Sequence, residues 1–198
     1  LTAEGLPDQD MLTIINYAAC KGTIVVGPDT PGVVSPGKCK LGVHPNRVLL
    51  EGQVGLLSKS GALSYEVCKT LTEAGIGQCP IVGLGGGPFW GLSQERVLAM
   101  FEEDDETQVV VLLGEVGGTM EQKAAAFIKA HMTKPVVALI VGRAAPRGAQ
   151  MGHAGAIIEG EEQTADAKIQ ALKDAGVHIA YRPSEIPLRI NELGVVQP

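Results

Sequence analysis

The chain has 198 residues, of which 45% are hydrophobic and 19% charged, with a net charge of −6. This length and apolar content suit one well-buried globular domain, or one domain plus a remnant. The acidic balance argues against a nucleic-acid binder, which would show a basic stripe, and no apolar run is long enough to span a membrane.

Aromatic residues are only 4%, so the core is expected to be built from Val, Ile, Leu and Ala. Cys20, Cys39, Cys68 and Cys79 form no Cys-x-x-Cys pair, and no histidine lies at zinc-ligand spacing. Reduced thiols and no metal site are the expectation. No secretory leader is read, and the chain opens in mid-pattern with Leu1-Thr2-Ala3 rather than Met. A cytoplasmic fragment of something longer is therefore expected, with no membrane and no nucleic acid among its partners.

Taken in chain order, the first strand candidate is Thr23–Val26. Residues 28–53 carry Pro28, Pro31, Pro36 and Pro45 and read as an ordered, extended connector between an N-terminal piece, 1–27, and a main domain, 54–198. Val54–Ser58 is the next strand. Leu63, Val67, Leu71 and Ala74 mark one face of a helix ending at Gly75. Pro80–Leu84 is a strand, then Val97, Met100 and Phe101 mark a helix. Val109–Gly114 and Val136–Val141 are strands separated by a helix over Ala124–Met132, stopped by Lys134-Pro135. Thr164 caps a helix with Ile169 and Leu172 inward and Gly176 after its end. Val177–Ala180 is the last strand, and Pro183-Ser184-Glu185 opens a last helix through Leu193. The strands are continuous apolar runs rather than alternating ones, as expected when both faces of a parallel sheet are covered. The alternation of strands and helices predicts an α/β fold with a doubly wound, mostly parallel open sheet.

In such sheets ligands bind outside the carboxyl ends of the strands. Four of those ends carry chemistry. Ser58-Lys59-Ser60-Gly61-Ala62 opens straight into a helix and reads equally as a phosphate-binding turn or as two serines capping the helix. It is not a Walker A loop. Gly83-Leu84-Gly85-Gly86-Gly87-Pro88 fails the dinucleotide fingerprint at Pro88, and it reads as a tight turn or as backbone left open to a ligand. Glu115, between Gly114 and Val116-Gly117-Gly118, stands at the end of a buried strand, where a carboxylate is costly without a partner. A histidine ring is one such partner, and the helix starting near Thr119 is another. Arg143 and Arg147 either steer anions or are solvated. The loop after them reads Met151-Gly152-His153-Ala154-Gly155. His153 there is either an ordinary turn residue or a nucleophile that a large charged group approaches closely, since imidazole is a neutral nucleophile near pH 7.

One chemistry uses all of these loops: a phosphorylated histidine, a carboxylate that orients it, and a helix N-terminus that neutralises the phosphate. The motifs that carry a family resemblance are Glu4-Gly5-Leu6-Pro7, Gly27-Pro28-Asp29-Thr30-Pro31-Gly32, Ser58-Lys59-Ser60-Gly61, Tyr65-Glu66, Gly114-Glu115-Val116-Gly117-Gly118, Thr133-Lys134-Pro135-Val136 and Gly152-His153-Ala154-Gly155-Ala156. Together and in this order they resemble the α subunit of succinyl-CoA synthetase, in its C-terminal ligase domain. Its relatives malate–CoA ligase, citryl-CoA synthetase and ATP-citrate lyase share them.

The resemblance implies a flavodoxin-like ligase domain over 54–198, with 1–27 as the tail of a coenzyme A-binding domain. It implies an acid–thiol ligase working through phosphohistidine and an acyl phosphate. ATP or GTP with Mg2+ would be bound by a β subunit bearing an ATP-grasp domain. By the match, His153 is phosphorylated and Glu115 orients it. Ser58, Ser60, Gly61 and Ala62 hold phosphate, Tyr65 lies near the carboxylic acid substrate, and Thr2, Ala3 and Glu4 touch coenzyme A. Location would be the cytoplasm, or the mitochondrial matrix in a eukaryote. Asp29 stands where the family usually has Asn, Gly87 where it has Asp, and Trp90 where it has a small polar residue. Succinate, citrate and malate thus stay open as the acid. A non-catalytic domain that kept the fold is the alternative from another class. A signalling phosphoacceptor is disfavoured, because no acidic cluster lies at the strand ends.

Overall fold

The computed structural model describes residues 1–87 and 89–196. Pro88, invoked above against a dinucleotide fingerprint, lies outside the described residues. The chain opens with helix α1, Asp8–Cys20, which buries Met11 and Ala18 and leaves Leu12, Ile14 and Tyr17 exposed. A hairpin follows, β1 (Gly32–Ser35) and β2 (Cys39–Gly42). Then come β3 (Glu51–Ser58), α2 (Gly61–Glu73), β4 (Gln78–Gly83), α3 (Gln94–Glu103), β5 (Val109–Glu115), α4 (Met120–His131), β6 (Val136–Val141), α5 (Ala165–Asp174), β7 (His178–Ala180) and α6 (Ile186–Leu193).

The strands form one sheet in the order β2-β1-β4-β3-β5-β6-β7. Pairings from β4 through β7 are parallel; β1 runs antiparallel to both its neighbours. Without the hairpin, the order of the five parallel strands is the flavodoxin-like 2-1-3-4-5, with its switch point between β3 and β5. The mostly parallel, doubly wound sheet expected from the sequence is present.

The continuous apolar strands have the predicted cause. Successive side chains on a strand point to opposite faces. On β5, Val110 and Leu112 pack with Val97, Phe101, Ala125, Ile128 and Leu172 of α3, α4 and α5. Val109, Val111 and Leu113 pack on the other face with Val67 and Leu71 of α2 and Ile186 and Ile190 of α6. Both layers are sealed, and truncating a residue such as Leu112 to Ala is expected to cost about 2–5 kcal/mol.

Three local expectations need correction. Thr23–Val26 forms no strand: it is half-buried to exposed and pairs with nothing in the sheet. A β-branched run becomes a strand only when a neighbouring strand satisfies its backbone; here the Thr23 amide bonds the Ala18 carbonyl of α1 and the Val26 carbonyl accepts from the Leu1 ammonium instead. The segment 28–53, read as an extended connector, carries β1 and β2, and β1 pairs with β4 through Val33–Val82 and Val34–Ile81. The parallel strand β3 begins at Glu51, three residues before the apolar run that revealed it. Helix α1 was not anticipated. The expected caps are in place: Thr164 accepts from the Ala167 amide, and α2 gives way to Gly75.

Candidate active site

The strand ends β3, β4 and β5 lie in register, Ser58 beside Gly83 on one side and beside Leu113 on the other. Glu115 is the last residue of β5, two beyond Leu113. Its backbone is drawn to the interior and its carboxylate turns to the loop that follows β6. There its Oε2 meets His153 Nδ1 at 2.7 Å. The Glu115 side chain is 9% exposed and that of His153 27%. The two residues are 38 apart in sequence, and glycines bring them together. Gly117 has φ +86°, and a Cβ there would overlap the carbonyl of Gly155, so the loop after β5 sits directly on the His153 loop. A Cβ on Gly86 would overlap the His153 ring itself. The His153 loop is closed by its own bonds, Met151 N–H to the Ala156 carbonyl at 3.0 Å and Ala156 N–H to the His153 carbonyl at 3.1 Å.

The hydrogen bond to Glu115 raises the pKa of His153 above the ordinary histidine value. Burial opposes the rise, Asp29 adds to it, and Lys59 works against it. A carboxylate at Nδ1 fixes the tautomer and leaves Nε2 as the reactive nitrogen. His153 borders a cleft of about 470 Å³ that also touches Glu4, Asp29, Gly86, Gly87 and Gly152. Asp29 holds a positive φ of 52° and donates its amide to the Ala3 carbonyl at 3.0 Å, which brings the Thr2–Glu4 segment to the cleft's rim. Glu4 lines the cleft; Thr2 and Ala3 are exposed beside it.

The Ser58–Ala62 turn has a specific internal wiring. The Ser58 hydroxyl is buried, donates to the Ser60 carbonyl at 2.7 Å and accepts the Ser60 amide at 3.0 Å. The Ser60 hydroxyl accepts from the Leu63 amide and caps α2. Their oxygens therefore shape the turn, while the amides of Gly61 and Ala62 occupy the first positions of the helix, where no intrahelical acceptor exists. Lys59 does not reach out of this loop. Its ammonium is buried, pairs with Glu121 at 3.0 Å and lies 5.3 Å from the centre of the Trp90 ring. Trp90 in turn spends its N–H on the Gly85 carbonyl at 2.9 Å. Trp90 is thus an interior brace, while Gly87 borders the cleft. Tyr65 is half-buried on α2, edge-on to the buried His44 with ring centres 5.2 Å apart. Burial lowers the pKa of that histidine and raises that of Tyr65.

Sequence reading missed Glu121 and Lys168. Both are fully buried and paired with each other. A signal was present. Glu121, Ala124, Ala125 and Ile128 form one helical stripe, as do Ala165, Lys168, Ile169 and Leu172; each stripe holds one charge among apolar residues at i, i+3, i+4, i+7 spacing.

Comparison with known proteins fits this geometry. A family model described as CoA-ligase matches residues 57–178, which include Ser58, Glu115 and His153. The chain belongs to the CoA-ligase family. It is 53% identical over 177 residues, 89% of its length and 60% of the relative's, to the succinate–CoA ligase [ADP-forming] subunit alpha 1 of Archaeoglobus fulgidus. It is 48% identical over 196 residues to the corresponding alpha subunit of Methanothermobacter thermautotrophicus, covering 98% of this chain and 67% of that one. Among solved structures, the ATP citrate lyase of Methanothrix soehngenii in complex with citrate and coenzyme A superposes with a TM-score of 0.88 at 27% identity, over 100% of this chain and 35% of that one. The chain spans about three fifths of the length of the first curated relatives it matches.

Proposed function

We propose that this chain is the phosphohistidine-bearing part of an NDP-forming acid–CoA ligase. The observation that carries the reading is the 2.7 Å contact between Glu115 and His153 Nδ1, beside a cleft. With Nδ1 held, Nε2 attacks the terminal phosphorus of a nucleoside triphosphate. The N–P bond forms, the P–O bond breaks and the diphosphate leaves. A carboxylate oxygen of the acid then takes the phosphoryl group, giving an acyl phosphate and restoring the neutral ring. The thiolate of coenzyme A attacks the acyl carbon and inorganic phosphate departs. The Gly61 and Ala62 amides at the positive end of α2 are suited to the phosphate, with Ser58 and Ser60 shaping that turn. Tyr65 is assigned to the neighbourhood of the acid, and Thr2, Ala3 and Glu4 to coenzyme A.

The triphosphate is assigned to a β subunit with an ATP-grasp domain. Succinate is the first acid to test, because the relatives at about 50% identity are named for it. Gly87 and Asp29, which both line the cleft, are where selectivity for a different acid would arise. Among the described residues no helix is long and apolar enough to cross a membrane. A cytoplasmic location fits the reduced-thiol reading.

The test is to incubate the full chain, reconstituted with its partner, with γ-labelled nucleotide and map the label. Acid-labile label on His153, absent in His153→Asn, is expected. Label persisting in that variant, or found on another residue, overturns the assignment.

A further inference from the structure

Behind the Glu115–His153 pair lies a cluster of charges sealed from solvent. Lys59, just past the end of β3, Glu121, in the first turn of α4, and Lys168, on α5, are 3%, 0% and 0% exposed. Both lysines pair with the single carboxylate of Glu121. Lys168 donates in addition to the backbone carbonyls of Glu115, at 2.8 Å, and Gly117. All three of its N–H groups are thereby used. Two of them grip the chain on either side of Val116, so the end of β5 is tied to α5 directly under the carboxylate that holds His153.

A buried charge group is expensive, and hydrophobic residues of the same volume are often as stable or more so. A neutral pair would have been the cheaper solution. Here two ammonium groups share one carboxylate, which leaves one positive charge in excess. Trp90 covers it from one side, with its ring face toward Lys59. Glu115 is the nearby anion that acts on Lys168.

We propose that Lys59, Glu121 and Lys168 are positioning residues for the reacting histidine: Lys168 fixes the strand end that carries Glu115, and the positive charge of Lys59 works against the pull of Glu115 and Asp29 toward a charged ring. The proposal rests on the reading of His153 as the nucleophile. The charges that face His153 are Glu115 from β5, Asp29 from the loop before β1 and Lys59 from the loop after β3, with Glu4 and Asp8 across the cleft. Glu115 and Asp29 favour the charged ring; Lys59 opposes them. Burial lowers the pKa of Lys168, and Lys59 lowers it further, while Glu121 raises it. Burial by itself would raise the pKa of Glu121, but the two lysines together hold it below the ordinary carboxylate value.

Lys59→Met removes the excess charge and leaves the neutral Glu121–Lys168 pair, so the variant should fold. Titration of the His153 ring by NMR in the unphosphorylated full chain, assigned by its loss in His153→Asn, should then show an upward shift of the midpoint. Lys59→Arg, which keeps the charge, should restore the wild-type midpoint. In the reconstituted complex the acid limb of the phosphorylation rate should follow the same order. Lys168→Met should lower kcat for phosphorylation by on the order of 10²-fold with KM for nucleotide little changed, because a displaced reacting group costs that much. An unmoved His153 midpoint in Lys59→Met, or one that moves as far in Lys59→Arg, overturns the electrostatic part. Wild-type kcat in Lys168→Met overturns the positioning part. The NMR result is independent of whether His153 is ever phosphorylated. A shifted midpoint with no label on His153 would therefore defeat the proposed function and the positioning of a nucleophile, and leave only the electrostatic coupling of Lys59 to His153 standing.

Discussion

Two carboxylates six residues apart, Glu115 and Glu121, are handled in opposite ways. Glu115 faces one partner, a histidine that borders a cleft and is 27% exposed. Glu121 faces two lysines, and none of the three reaches solvent appreciably. The first arrangement has a partner able to change its charge and to accept a group from outside. The second has two partners that are themselves sealed from solvent. Placing them side by side teaches that chemistry needs one loosely satisfied charge, while a rigid frame needs charges that are saturated.

The comparison breaks most visibly if Glu115 is altered. Glu115→Gln keeps the size but weakens the hold on the neutral tautomer, and the rate of His153 phosphorylation is expected to fall by roughly 10²–10⁴-fold. Single-turnover labelling at wild-type speed would reduce Glu115 to a structural residue. Removing Glu121 instead should act on folding. Glu121→Leu strands two buried ammonium groups, and denaturant unfolding should report a loss of about 3–5 kcal/mol.

The pH responses should separate the two sites. The raised pKa of His153 places the acid limb of phosphorylation above the ordinary histidine value of 6.5, since only the neutral ring attacks. The rate should be lost as pH falls through that limb, and Glu115→Gln should move the limb to lower pH. The depressed pKa of Glu121 means its contribution to stability is full above the ordinary carboxylate value of 4.5. It disappears as pH falls through the lower folded value. Stability should hold across the pH range in which phosphorylation switches off. The mildest probe is Thr164→Ala, which removes the cap of α5 and should cost about 1 kcal/mol. Phosphorylation should then stay within about two-fold of wild type, because Lys168 lies a full turn inside the helix.

Much of this was legible in the sequence. Val109–Glu115 and Val136–Val141 announce themselves because strands covered on both faces need apolar residues at every position. His153 and Glu115 stood out because each is a polar residue set among glycines. The hairpin was hidden because its strands are four residues long and flanked by Pro and Gly, a composition that reads as a connector. Thr23–Val26 misled for the reverse reason, since its residues favour strands but strand formation depends on a neighbour elsewhere in the chain. By sequence the two serines of the Ser58–Gly61 turn suit caps and ligands equally. The structure spends the Ser60 oxygen on the cap of α2. Glu121 and Lys168 each interrupt an apolar helical stripe, but only the fold shows that these two stripes, with the charges 47 residues apart in sequence, meet in space.

The ends of the sheet have a consequence for assembly. On one side it finishes in β2, four exposed residues including Lys40; on the other it finishes in β7, only three residues long. Borders this short, one of them carrying Lys40, offer little free backbone to an incoming chain. A chain that tried to lengthen the sheet at either border would gain few main-chain bonds, so the sheet ends in itself rather than in a neighbour.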